Sequence, residues 1–287
     1  MTDLRKLLAV EPGQVDLAGI DPGGTPGLPD DRVAGHHPKR WSRKRRAAIG
    51  EDLAAYQERL YASAKQKANA DRVLLVLQAM DCGGKDGTVR DVTAGMNPAG
   101  LHAVSFGPPS EEELSHDFLW RIRRALPAPG IVGIFNRSHY EDVLVARVHQ
   151  LVPEEVWRRR YDEINAFEAE QVAGGLTIVK VMLHISKEEQ KKRLLARLDD
   201  PSKQWKYNPG DLAERARWDE YQQAYADALS RCSTKVAPWY VVPADHKWYR
   251  SWAVATLLRQ TLADIDPQYP PPTFDVAAER AAILKSD

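Results

Sequence analysis

LLVLQAMDCGGKDGTVRDV, running from Leu74 to Val92, decides how the rest of the chain is read. Val73 to Leu77 is a continuous apolar run of the kind a strand buried on both faces needs. Glycines and a lysine follow, and then helix-compatible residues resume. Strand, glycine-rich turn and helix in that order is the local architecture of loops that hold phosphate. In such loops backbone amides converge on the anion and a lysine reaches it. The spacing departs from GxxxxGK[ST] at two positions, with Ala79 at the first glycine and Asp86 at the hydroxyl residue. Taken alone, the stretch also fits a glycine-rich turn that binds nothing. Asp86 is explained as an acid in a first helical turn, where the dipole favours it. Asp81 is not: inside such a loop it repels an anion unless a cation lies between.

Outward from this stretch, continuous apolar runs recur at Ala103–Phe106, Ile131–Phe135, Leu176–Ile185 and Trp239–Val242. Helical patterns separate them. Ser110 and Glu113 form a capping box that opens a helix closing on Arg121, Arg123 and Arg124; Ser138 with Glu141 and Ser186 with Glu189 repeat the signal. Alternating strands and helices predict an open parallel α/β sheet, with ligands at the carboxyl ends of its strands. Residues 1–35 read as a tail in which Leu4, Leu7 and Leu8 make one short apolar face. The main domain spans 36–270, and 271–287 is a second tail. A charged helical insertion at about 187–235 lies between the last two strands as a candidate lid.

Bulk properties exclude several classes. The 287 residues are 43% hydrophobic and 28% charged, with zero net charge. A global basic field is therefore absent, and an anion site must come from local clustering. Two cysteines, Cys82 and Cys232, do not make a disulfide framework, and no apolar run approaches the roughly 18 residues of a membrane span. These features favour a cytoplasmic protein with neither a nucleic-acid nor a membrane partner. A polyanion-binding module acting through Lys39 to Arg46, which holds six basic residues and no acid, is the non-enzymatic alternative.

The chemistry-bearing residues fall at strand ends. Asn136 and Arg137 follow the third strand, where an arginine is a natural phosphate clamp. Its plain alternative is a surface arginine. Glu141 is accounted for by the capping box with Ser138. Asp142 is not, and is the preferred metal carboxylate, in the role of a Walker-B aspartate. Arg193 and Arg197 share a helix face, with Lys203 and Lys206 beyond, either aimed at phosphate or forming a solvated face. His184, on an apolar strand, reads as a core residue.

AMDCGGKDGT, LSHDFLWRIRRALP, IFNRSHYEDVL, RLDDPSKQWKYNPGD and APWYVVPADHKWYR occur in the order seen in the polyphosphate kinase 2 family, which the chain resembles from about Pro38 to Leu262. The resemblance implies a P-loop kinase-like three-layer sandwich with a mostly parallel five-stranded sheet and a helical lid. It implies Mg²⁺-dependent phosphoryl transfer between inorganic polyphosphate and the purine nucleotides AMP, ADP and ATP, in a homo-oligomer (dimer or tetramer). Asp81, Lys85, Arg137 and Asp142 would be catalytic. Asp81, Asp142 and Glu141 would face metal. Cys82, Gly83, Gly84, Lys85, Asp86, Gly87, Thr88, Asn136, Arg137, Arg193, Arg197, Lys203 and Lys206 would line the phosphate and nucleotide site. Many members carry Asp where this chain has Asn136; the Asn version resembles the subgroup that handles both nucleoside mono- and diphosphates. An ATP-dependent kinase with another acceptor shares the fold and remains the enzymatic alternative.

Overall fold

The computed structural model describes residues 3–13, 15–30, 35–67 and 70–286. β1 (Arg72–Ala79), β2 (Leu101–Ser105), β3 (Val132–Asn136), β4 (Leu176–His184) and β5 (Trp239–Pro243) form one sheet in the order β2-β3-β1-β4-β5. Every pairing between these strands is parallel. The helices are α1 (Leu4–Leu8), α2 (Pro38–Lys65), α3 (Lys85–Thr93), α4 (Glu111–Leu114), α5 (Trp120–Ala125), α6 (Val145–Val148), α7 (Glu154–Ala173), α8 (Lys187–Leu198), α9 (Asp211–Ala216), α10 (Trp218–Cys232), α11 (Lys247–Ile265) and α12 (Val276–Ile283).

β1 shows why the strands read as unbroken apolar runs. Strand side chains alternate between faces. Leu74 and Val76 join the core layer that α7 and α10 cover. Val73, Leu75 and Leu77 join the layer under α2, α3 and α11. A strand covered on both sides has no position for water-facing residues. α11 is sandwiched too: every residue from Trp252 to Leu258 is buried. β2 departs from the expectation of two buried faces. It is the sheet edge, with His102, Ala103 and Ser105 exposed, and of its apolar run only Phe106 is buried, edge-on to Phe135.

Three expectations need correction. The segment before residue 36 is not a free tail throughout. Leu4 and Leu8 are buried while Leu7 is half exposed, Ala9 bridges Tyr240, and the Val10 amide donates to the Trp239 carbonyl. The apolar face of α1 thus covers the open edge of β5, which would otherwise leave unpaired backbone groups. Second, the helix opened by Ser110 keeps its capping box but stops at Leu114, and α5 starts anew at Trp120. Third, only part of 187–235 stands over the strand ends. α10 is a core helix with Tyr221, Ala224, Tyr225, Ala228 and Leu229 buried, so the overhanging segment is about 199–217.

One charged cluster is sealed behind the sheet. Lys180, on β4, is fully buried and donates to Glu168 (2.5 Å), the Tyr140 hydroxyl (2.9 Å) and the Cys232 carbonyl (2.7 Å). Glu168 also meets the His139 ring at 3.2 Å and accepts from Tyr140 at 2.9 Å. Burial pushes the Glu168 carboxyl up, but Lys180 and His139 more than offset it, and it lies below its ordinary range. His184 is a core residue that also meets the Ile20 carbonyl at 3.2 Å.

Candidate active site

The site is assembled where β1 and β3 end. Gln78, the penultimate residue of β1, donates to the Ser138 hydroxyl at 3.1 Å, tying the two strand ends together. The loop Met80–Gly84 turns back sharply: Cys82 has φ 62° and Gly84 φ 102°. Both angles are left-handed, which is inexpensive only for glycine. Gly84 is required twice over, because a Cβ there would lie 1.7 Å from Nη1 of Arg250. α3 then opens without a side-chain cap, leaving its first-turn amides available to an anion.

Lys85 folds under this loop and donates to the Ala79 carbonyl at 2.9 Å. Burial lowers its ammonium pKa, Asp81 pulls the other way, and the net direction is down. Arg137, also left-handed at φ 63°, donates its amide to the Leu77 carbonyl at 3.0 Å and its guanidinium to Asp81 at 3.5 Å. Asn136 donates to Asp86 at 2.8 Å, and Lys206 approaches the other Asp86 oxygen at 3.4 Å. Burial raises the Asp86 carboxyl pKa, but Asn136, Lys206 and Lys85 reverse that, so it stays ionised below its usual range. Asp86 therefore does more than complement the helix dipole; it links α3, β3 and the overhanging segment.

The two acids after Ser138 have opposite fates. Ser138 caps the Tyr140 amide, and the Glu141 amide donates to the Ser138 carbonyl. The expected capping box does not form, and the Glu141 side chain is released. It lines a recess of about 300 Å³ with Asp81 and Arg137. Burial pushes its carboxyl up, against the pull of Arg137 and Lys85. Asp142 is turned away into ion pairs with Arg160 (3.2 Å) and Arg121 (3.9 Å) and lines neither this recess nor the main cleft. The reason is local. His139–Asp142 is a 3₁₀ turn, in which consecutive side chains point roughly 120° apart. Of the acids expected to face metal, Glu141 stands in the recess with Asp81, while Asp142, the preferred one, stands outside it.

The main cleft, of about 700 Å³, joins this recess at Asp81 and Arg137. Cys82, Gly83, Gly84, Lys85, Asp86, Gly87 and Asn136 line it as expected, with Arg193, Arg197, Lys203 and Lys206. Thr88 does not; it is buried, and its hydroxyl donates to the Gly84 carbonyl at 3.1 Å. Burial pushes the Cys82 thiol up, away from thiolate chemistry. Arg193 is a brace. Its donors meet the carbonyls of Cys82 (3.0 Å), Gly83 (3.3 Å), Ala244 (2.6 Å) and Asp245 (2.9 Å), and Glu189 at 2.9 Å. It locks the loop to the end of β5, and its guanidinium has no donor left for phosphate. Arg197 holds Asp211 and the Lys206 carbonyl, and Lys203 pairs with Asp200. Lys247 and Arg250 also line the cleft, from the basic, aromatic segment Trp239 to Arg250 that the sequence offers as a nucleotide or lid contact, and Arg90 of α3 lines it without a sequence signal.

No cluster of three or more His, Cys, Asp or Glu able to hold a metal occurs among the described residues, nor any helix long and apolar enough to cross a membrane. Four acids line the recess; Asp211 is held by Arg197 and Glu214 by His149 and Tyr221, while Asp81 and Glu141 act on Lys85 and Arg137. The latter pair fits a magnesium-like ion, which keeps several waters and is held by one or two carboxylates together with substrate phosphates.

A glycine-rich loop between a central parallel strand and a helix, opening on a cleft lined by lysines, arginines and acids, defines a P-loop phosphotransferase. The family model described as Polyphosphate kinase 2 matches residues 39–270, and the chain belongs to that family. It is 49% identical to the AMP/ADP-polyphosphate phosphotransferase of Meiothermus ruber over 97% of this chain and 99% of that protein. It is 45% identical to the ADP-polyphosphate phosphotransferase of Rhodopseudomonas palustris, over 78% and 80%. The crystal structure of polyphosphate kinase 2 from Arthrobacter aurescens TC1 is similar over 99% of this chain and 98% of that one, at 49% identity and a TM-score of 0.94.

Proposed function

We propose that Asp81, Lys85, Arg137 and Glu141 carry metal-assisted phosphoryl transfer at the mouth of β1 and β3. The reaction class follows from the family: the chain is a polyphosphate–nucleotide phosphotransferase. The finer reading is that it takes ADP to ATP and AMP to ADP, with Mg²⁺ as the ion. The observation that carries it is the pair Asp81 and Glu141 set among Lys85 and Arg137. Two polyanionic substrates meeting in one cleft need that much countercharge, and acids there serve only if a cation joins them. Asp81 and Glu141 would hold the ion, which would supply positive charge against the negative charge that develops on the transferred phosphate.

The chain's own residues do the rest. Loop amides and Lys85 orient the transferred group, and Arg137 faces its equatorial oxygens, where a fixed cation stabilises the transition state. The accepting oxygen belongs to a phosphate and is already ionised, so no general base is required, and His149, which lines the recess, is held by Glu214. Tyr225, Val145 and Leu144 line the recess beside Glu141 and offer a nucleobase an apolar wall; the cationic cleft beyond Gly84 takes the polyphosphate. Residues 199–217 screen the mouth from water. The 49% identical relative named for both AMP and ADP supports use of both acceptors.

The experiment is to incubate the purified protein with polyphosphate and either AMP or ADP, with and without Mg²⁺, and to identify products by chromatography. ATP from ADP and ADP from AMP, both abolished by chelator, are expected. Product formation only after another donor is added would sink the reading in favour of an ordinary ATP-dependent kinase. We also propose a cytoplasmic location, with both cysteines free, and a homo-oligomer. Tyr269, Phe274, Val276, Ile283 and Leu284, exposed on the C-terminal segment, provide an apolar surface that a second copy would cover. Light scattering measures that state.

A further inference from the structure

Arg250, on α11, is a buried cation that the described chain leaves uncompensated. It is 4% exposed. Its one side-chain partner is the Ser251 hydroxyl, 3.3 Å from Nη2, and Nε has none. Asp91, the acid whose charge acts on it, is already held by Ser251 (2.7 Å) and Arg46 (2.6 Å). The other charges acting on it are those of Arg193, Arg90 and Arg46; burial and these like charges push the guanidinium down to about 10. Buried charges are ordinarily paired, and arginine does not escape by losing its proton. The arrangement is explained if an anion completes it.

Geometry says where that anion lies. Nη1 stands 1.7 Å from where a Gly84 Cβ would be, and Nη2 stands 3.1 Å from where a Gly87 Cβ would be. The guanidinium is thus pressed against the loop backbone and borders the cleft beside Lys247, itself without a carboxylate partner among the described residues. Neither residue borders the recess that holds Glu141 and Tyr225. Arg193, the arginine the sequence pointed to, is saturated by carbonyls.

We propose that Arg250 is a binding residue for the polyphosphate chain, contacting phosphates adjacent to the one transferred, and that it does not read the nucleotide. This rests on the placement of the nucleotide in the Tyr225-lined recess. The test is Arg250→Gln and Arg250→Lys, with KM measured separately for polyphosphate and for ADP. Loss of a charge-assisted contact raises KM for polyphosphate at least ~10-fold in Arg250→Gln, with KM for ADP within about twofold; Arg250→Lys recovers part of the loss. A melting assay reads the same contact without turnover: polyphosphate stabilises the wild type more than either variant, and ADP stabilises all three alike. An unchanged KM for polyphosphate, equal rises in both constants, or a fall in kcat alone would overturn the proposal, the last marking a loop buttress. If Arg250→Gln does not fold, Arg250→Lys decides through the melting assay, where wild-type stabilisation by polyphosphate would count against us. If the wild type makes no ATP from polyphosphate, the catalytic reading fails, while the melting comparison still reports on Arg250.

Discussion

Two groups of buried charge lie on the two sides of the strand ends, and they are built on opposite principles. Behind the sheet, Lys180 has three acceptors and Glu168 is engaged on both oxygens. At the mouth, Arg250 has one neutral partner, Lys85 binds a single carbonyl, and the Glu141 carboxyl is raised by burial against the pull of Arg137 and Lys85. The first group is satisfied by its own chain and holds α7, α10 and the turn after β3 together. On the proposed function, the second is completed by substrate and ion. Burial alone does not separate structure from function in this molecule; unmet charge does.

The strongest way to break that contrast is to disturb the sealed side. Lys180→Met strips buried Glu168 of its lysine and leaves it only His139 and Tyr140, and a loss of about 3–5 kcal/mol in denaturant unfolding is expected, with the surviving folded fraction still competent in turnover. On the open side, Glu141→Gln is expected to lower turnover at least ~100-fold, the scale of removing one transition-state charge contact, while leaving the unfolding midpoint nearly unchanged at acid pH. If both variants lost stability and neither lost turnover at constant fold, the division would be wrong.

pH sharpens it further, because the two glutamates carry opposite signs. The Glu168 carboxyl is below its ordinary range, so its contribution to stability is present above the unfolded value and is lost as pH falls through the folded one. The Glu141 carboxyl is above its range. In metal-free protein the folded state then holds that proton more tightly, and stability falls as pH rises from the unfolded value through the folded one. Glu141→Gln should therefore be the more stable protein at neutral pH without metal. That advantage should vanish below the ordinary glutamate range. Thermal melts across pH, with chelator present, measure it. The smallest effect is expected from the neighbour. Asp142→Asn weakens partly buried ion pairs with Arg160 and Arg121, a change of roughly 1.5–3 kcal/mol, and should shift turnover by no more than about threefold.

The sequence alone determined the five strands, their parallel order of use, the loop at Asp81–Lys85 and the family, because continuous apolar runs, glycines and capping residues act over a few neighbouring positions. Tertiary structure alone decided that Glu141 rather than Asp142 enters the cleft, that Arg193 braces the loop, and that Arg250 from a distant helix meets Gly84. It also decided that Lys180, a charge inside an apolar strand, is neutralised by Glu168. The physical reason is that a side chain's partner depends on what the fold brings against it. One 3₁₀ turn of backbone sent two adjacent acids to different surroundings, and no periodicity in the chain records that turn.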